Sequence, residues 1–166
     1  MAEPACYCTD TSALIELHAT YGSDVFVSLW QNVAELVKEG RLIAPREVLR
    51  EIEKKDDDLL KWVKNHRKIF REEEIEQIQS AQEILSDFPN LIDPAKETPD
   101  ADPFVIALAI IENTKRQDFL FKGQCIVVTQ EKPSRRSRPK IPDVCQHYGI
   151  ECISVAGLFR KEGWKF

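Results

Sequence analysis

The sequence predicts an α/β fold, a three-layer sandwich around a mostly parallel central sheet, and two observations predict it. Short apolar runs recur at residues 5–9, 41–44, 125–129 and 151–154, each the length of a buried strand. Between them lie stretches with helical spacing of apolar residues, and strands that alternate with helices pair in parallel. At 166 residues the chain suits one domain, 1–166, with a core of its own.

Residues 5–9 read as a strand that ends at Asp10, and Asp10-Thr11-Ser12 reads as the turn into a first helix, with one of the three as its cap. A second helix is expected over 24–38, its inward stripe made of Val25, Leu29, Val33, Leu36 and Val37, with Gly40 as the stop. After the strand at 41–44, Pro45 takes a first-turn position, and Val48, Leu49 and Ile52 form the inward stripe of a third helix. From about 54 to 90 the chain becomes strongly charged, with amphipathic signals around Leu59, Leu60, Trp62 and Val63 and again at Ile75, Ile78, Ala81, Ile84 and Leu85. This reads as a helical insertion laid over the domain as a lid or arm, too polar to hold a core by itself. Its Trp62 and isoleucines are candidates for a partner surface, with burial against the domain the plainer expectation.

Asp102-Pro103 reads as a cap followed by a first-turn proline, and the run behind it, 104–111, is apolar almost all round, so that helix should be buried. Residues 125–129 are the clearest buried strand. Pro142 opens a short helix ended by Gly149, 151–154 is a last strand, and a terminal helix covers 155–162.

Composition excludes several classes. With 43% hydrophobic and 31% charged residues the chain is an ordinary globular one. Its longest apolar run, 104–111, is too short to span a bilayer. The N-terminus carries no export-signal pattern, so a cytoplasmic location is expected, with no membrane partner. Five cysteines without secretory cues read as reduced, buried thiols, with Cys6 and Cys8 on one face of the first strand. No Cys/His set has zinc spacing, and the three histidines form no helical ligand pair. A net charge of −5 argues against indiscriminate nucleic-acid binding while allowing a local basic patch.

The acids carry the chemistry. In a parallel α/β sheet ligands sit beyond the carboxyl ends of the strands, and the N-termini of crossover helices open on that same edge. Asp10 ends the first strand, Glu131 follows the strand at 125–129, Asp102 opens the buried helix, and Glu51 lies in the second turn of the helix after Pro45. On the helical wheel Glu51 lies beside Val48, at the edge of the apolar stripe, and Glu47 points further away, so Glu51 is the candidate. Four carboxylates on one rim repel and demand a counter-cation, and an all-oxygen set suits Mg²⁺ or Mn²⁺. Such an ion activates water and stabilises a phosphodiester transition state, so the expected chemistry is phosphate-ester hydrolysis. Each acid also has a plain alternative: Asp10 and Asp102 as helix caps, Glu51 and Glu131 as solvated residues. Asp100 and Asp143 are neighbouring candidates. The hydroxyls of Thr11, Ser12 and Thr129 stand where they could orient a ligand or close a turn.

In order and context these residues resemble the PIN-domain ribonucleases. The resemblance rests on Cys8-Thr9-Asp10-Thr11-Ser12, on Val48-Leu49-Arg50-Glu51-Ile52, on Asp102-Pro103-Phe104-Val105-Ile106-Ala107 and on Val127-Val128-Thr129-Gln130-Glu131. It spans most of the chain, and the ending Lys140-Ile141-Pro142-Asp143-Val144-Cys145 is similar to a prokaryotic branch related to VapC-type toxins. The resemblance implies a PIN-like fold and a metal-dependent endoribonuclease, with Asp10, Glu51, Asp102 and Glu131 as catalytic and metal-binding residues. It also implies an RNA substrate, a homodimer and inhibition by a small antitoxin protein. Two departures stand out. Many relatives carry Asp where this chain has Glu131, and the charged 54–90 segment exceeds what compact toxins carry.

A basic loop follows the last acid, with Lys132, Arg135, Arg136, Arg138 and Lys140 between prolines, and it could hold RNA phosphates beside the rim. No aromatic is interleaved there, so base stacking is not expected. The competing class is a catalytically idle PIN-like module that binds a protein or RNA. An aspartyl-phosphate phosphotransferase ranks below both, because it wants a second Asp two residues after the first and Ser12 stands there.

Overall fold

The computed structural model describes residues 4–55, 57–95, 100–117, 123–134 and 138–166. Four successive buried residues, Cys6–Thr9, form β1 at the centre of the sheet. β2 (Leu42–Pro45) flanks it on one side and β4 (Cys125–Val128) on the other, both buried along their whole length. Two-residue edge strands complete the sheet, β3 (Phe70–Arg71) beyond β2 and β5 (Cys152–Ile153) beyond β4. The order is β3-β2-β1-β4-β5 and every pairing is parallel, with Cys6 opposite Cys125 and Cys8 opposite Val127. The expected α/β class is the observed one.

Helices on both faces make that sheet possible, because strands buried on both sides need apolar cover above and below. Among the described residues there are eight: α1 (Thr11–Thr20), α2 (Val27–Lys38), α3 (Arg46–Lys55), α4 (Asp57–Lys64), α5 (Ile75–Asp87), α6 (Asp102–Gln117), α7 (Ile141–Tyr148) and α8 (Val155–Glu162). Alternation along β1 separates the two layers. The Cys8 thiol donates to the Val105 carbonyl of α6 at 3.4 Å, so α6 lies on one face. Thr9 lines a small apolar void with Leu14 of α1, Val33 of α2 and Leu158 of α8, so these lie on the other. None of the described helices is long and apolar enough to cross a membrane.

Several boundaries shift for identifiable reasons. α2 begins at Val27, not at 24, and Val25 is 72% exposed, outside the stripe assigned to it. Residues 22–26 form a separate turn, closed by the Phe26 N–H on the Gly22 carbonyl at 2.9 Å. Gly40 does stop that helix, at φ 69°, a left-handed conformation that costs glycine nothing. Pro45 ends β2 instead of opening α3: it pairs with Arg71, and its missing N–H is harmless at the end of a strand. Asp102 is the first residue of α6 and not the residue before it, with Asp100 offering its carboxylate to the Asp102 N–H at 3.4 Å.

The charged 54–90 segment carries the expected helices, α4 and α5, and also β3, a strand too short to leave a periodic trace. Leu59, Val63, Ile69, Ala81 and Ile84 from this segment are buried in the common core. Trp62 packs edge-on against Trp30, its ring 5.0 Å away, and stacks on His66, while Ile75 stays 72% exposed. The five cysteines form no disulfide, and four are buried. Cys6 and Cys125 face each other across β1 and β4, sulfur to sulfur 3.7 Å.

Candidate functional site: an acidic rim at the end of the sheet

With β1 at the centre and the chain turning to β2 on one side and β4 on the other, the crevice beyond the strand ends opens between β1 and β4. Asp10 follows β1 at that point. It is the N-cap of α1, with Oδ1 accepting the Ala13 N–H at 2.8 Å. The Ser12 hydroxyl lies 2.9 Å and 2.8 Å from the two carboxylate oxygens, and the Thr129 hydroxyl, just past β4, donates to Oδ2 at 2.5 Å. Ser12 Oγ also accepts the Gln130 N–H at 3.0 Å, and Thr129 Oγ1 accepts the Glu131 N–H at 3.1 Å. The two hydroxyls therefore stitch the β1 and β4 ends together around the Asp10 carboxylate. Asp10 caps a helix, as its plain reading had it, and it does so at the crevice. Thr11, next to it, is buried with an Oγ1 that lacks a partner among the described residues.

Asp102 opens the buried helix on the same rim. Burial pushes its carboxyl up to about 8, and the neighbouring charges of Asp100, Glu131, Asp10 and Glu51 add to the effect. Asp10 is raised to about 6, by burial first and also by Glu131, while the Thr129, Ala13 and Ser12 donors work the other way. Five acids from four separate stretches of chain thus lie in one electrostatic field, Asp100 among them at 8% exposure.

Each outer acid is also tied to backbone. Glu51 Oε1 accepts the Ala101 N–H at 2.8 Å, which pins α3 to the start of α6, and Lys55 stands 3.8 Å from its other oxygen. Glu131 Oε2 accepts the Ile141 N–H at 3.0 Å, so this longer acid steadies the start of α7. Asp143 is engaged elsewhere: its Oδ2 accepts the Ser134 N–H at 3.0 Å and the Lys140 N–H at 2.8 Å, organising the basic loop. Lys132, Arg138 and Lys140 are exposed on that loop, and Arg135 and Arg136 lie outside the described residues.

Chemically the rim is an all-oxygen set of the kind hard divalent cations take. Carboxylates, an unpartnered threonine hydroxyl and two raised carboxyl groups fit Mg²⁺ or Mn²⁺ in donor type. As the side chains stand, however, no group of three or more His, Cys, Asp or Glu among the described residues is arranged to hold one metal ion. Closing such a set takes rotation of carboxylates that now face backbone N–H groups and hydroxyls.

One buried acid escaped the sequence reading. Glu47, set aside in favour of Glu51 because the wheel points it away from the stripe, is only 2% exposed. Burial raises its carboxyl to about 7, Glu73 beside it adds to the rise, and its Oε2 has no partner among the described residues. The reason is tertiary. The stretch that leaves β3 brings Glu73 over the first turn of α3, with Arg50 lying 3.9 Å from Glu47 and 3.7 Å from Glu73. A helical wheel knows nothing of a covering segment twenty-six residues away.

The parallel five-stranded sheet and the acids at its carboxyl edge define the class: an α/β domain with a carboxylate-lined crevice. A sequence family described as a domain of unknown function (DUF4411) matches residues 7–166, and the chain belongs to that family. No curated protein matches the chain in sequence.

Proposed function

We propose that the chain is a PIN-like, metal-dependent endoribonuclease related to the VapC-type toxins, hydrolysing RNA phosphodiester bonds at the rim around Asp10 and Asp102. The observation that carries this reading is the Asp102 carboxyl, raised to about 8 by burial and by four other acids in a crevice at the switch point of the sheet. A structural role alone gives no reason to crowd so many acids into one electrostatic field. Asp10, Asp102, Glu51 and Glu131 would hold Mg²⁺ or Mn²⁺, which would supply an activated water and positive charge for the transition state. Ser12 and Thr129 fix the Asp10 carboxylate, and Asp100 meets the first turn of α6. Lys132, Arg138 and Lys140 would draw the RNA backbone toward the rim, against the overall negative charge. A homodimer and a small antitoxin protein remain expectations of the resemblance.

One observation favours the second reading, a catalytically idle PIN-like module: among the described residues no three acids are now set to hold one ion. The experiment separates the two. Purified chain is titrated calorimetrically with Mn²⁺ and incubated with end-labelled single-stranded RNA, with and without a chelator. The nuclease reading expects saturable Mn²⁺ binding, chelator-sensitive cleavage, and a loss of at least about a hundredfold in Asp10→Asn and Asp102→Asn. Equal cleavage by parent and both variants, or no saturable Mn²⁺ site, sinks the nuclease and leaves the binding module.

A further inference from the structure

We propose that a second, separate site lies at the far end of α6, a cleft for a small organic anion with an aromatic or similarly flat apolar body. α6 runs from Asp102 on the rim to Lys115, about 20 Å away at a helical rise of about 1.5 Å per residue. Near that far end the C-terminus of α2, β3, the start of α5 and α6 enclose an open cleft of about 450 Å³, within the size range of small-molecule sites. None of the rim acids lines it.

Its charges are not self-cancelling. The three acids of the lining are each matched to a cation: Glu74 to Lys115 at 2.9 Å, Glu72 to Arg46 at 3.7 Å and Glu112 to Arg116 at 3.9 Å. Two cations of the lining, Lys68 and Arg71, have no carboxylate partner among the described residues, and Arg71 makes one long contact, 3.4 Å to the Gly40 carbonyl. A planar guanidinium with spare donors is a natural clamp for a carboxylate or a phosphate.

Gln77 supplies the independent sign of a ligand. It lines the cleft, is only 2% exposed, and its Nε2 finds no hydrogen-bond partner among the described residues. A buried amide N–H without a partner is destabilising, and a ligand acceptor in the cleft would satisfy it. An N–H donor beside two unpaired cations selects a negatively charged acceptor. Phe70, Leu108 and Ile111 provide the apolar wall for the body of the ligand. Phosphate monoester and carboxylate share the required chemistry, so both are tested.

The full chain is titrated calorimetrically with phenyl phosphate, with benzoate and with phenol at constant ionic strength. Saturable one-to-one binding of at least one anion and none of phenol is expected, and the anion that binds more tightly names the head group. Arg71→Met, Lys68→Met and Gln77→Leu should each weaken that binding at least tenfold. The parent melting temperature should be kept in all three, and kept or raised in Gln77→Leu, because the Gln77 Nε2 has no hydrogen-bond partner among the described residues. Asp102→Asn should bind the anion as the parent does, which separates this cleft from the rim. Absence of saturation by both anions, equal binding of phenol, or unchanged affinity in the three variants overturns the proposal. So does a fall in the melting temperature of Gln77→Leu.

Discussion

Both ends of β1 meet carboxyl groups partly or wholly withdrawn from solvent, and the two ends treat them in opposite ways. At the start of the strand the Tyr7 hydroxyl donates to Glu162 at 2.5 Å, and the Arg41 guanidinium bonds the same Glu162 carboxylate. Arg41 also donates from Nε to the Ala5 carbonyl at 2.8 Å and reaches Glu39 at 3.1 Å. Burial works against the Arg41 charge, yet Glu162 and Glu39 more than offset it and hold its pKa above the ordinary value. Burial and the adjacent carboxylate together push the Tyr7 hydroxyl well above the usual range. At the finish of the strand Asp10, Asp100, Asp102 and Glu131 share a crevice where the recorded partners of Asp10 and Glu131 are hydroxyls and backbone N–H groups. Between these two ends lie only four strand residues. Glu162 is supplied with a guanidinium, whereas Asp10 and Glu131 meet hydroxyls and backbone N–H groups in its place.

The sharpest way to break this comparison is to remove a cation from the compensated end. Arg41→Met leaves Glu162 half-buried beside a tyrosine, and with both groups about 15% exposed the loss should be about 2–3 kcal/mol. Chemical denaturation at neutral pH measures it. A loss below 0.5 kcal/mol, on the scale of about that expected from surface pairs, would place Arg41 among decorative contacts.

A pH series sharpens the other side. Asp10, Glu47 and Asp102 have folded-state values raised to about 6, 7 and 8, above those of the unfolded chain. Their neutral forms are therefore favoured in the folded state. The stability they contribute is complete below about pH 4 and is lost as pH rises through about 6 to about 8. Metal-free chain should thus unfold more easily at pH 8 than at pH 6, each tenfold difference in proton affinity being worth about 1.4 kcal/mol. Asp102→Asn should flatten this slope and keep or raise the melting temperature at pH 8. Addition of Mn²⁺ should restore stability at pH 8 more than at pH 6, because a cation competes with the proton for the same oxygens. A flat profile between pH 6 and 8 in the parent contradicts the crowded rim.

Thr129→Val is the mildest expected perturbation. It removes the hydroxyl that donates to Asp10 and accepts the Glu131 N–H. The cost should be about 1 kcal/mol. It should be greater at pH 8 than at pH 5, since the lost donor favours the ionised form of Asp10. Urea denaturation at the two pH values gives both numbers, and equal costs would mean that Thr129 stabilises the turn without touching the charge.

What could be read from the chain alone was whatever local sequence controls. Asp10 after a strand-length apolar run and Gly40 and Gly149 as left-handed stops all depend on a few adjacent residues, whereas Ser154, read as the end of the last strand, caps the last helix instead. The order of the acids, combined with the rule that parallel sheets gather ligands at one edge, was enough to bring Asp10, Glu51, Asp102 and Glu131 to the same rim. The two residues of β3 left no trace, since a strand that short carries no period and exists because β2 offers it a ladder.

Tertiary structure alone decided which acids are covered and what each oxygen faces. Glu47 points away from the apolar stripe on the helical wheel, yet Glu73 lies across it, and Glu131 spends one oxygen on the Ile141 N–H of a helix ten residues away. Periodicity reports which side of a helix is apolar, whereas burial and proton affinity depend on everything that packs above it. For that reason the sequence determined the rim, and only the assembled fold determined its charge.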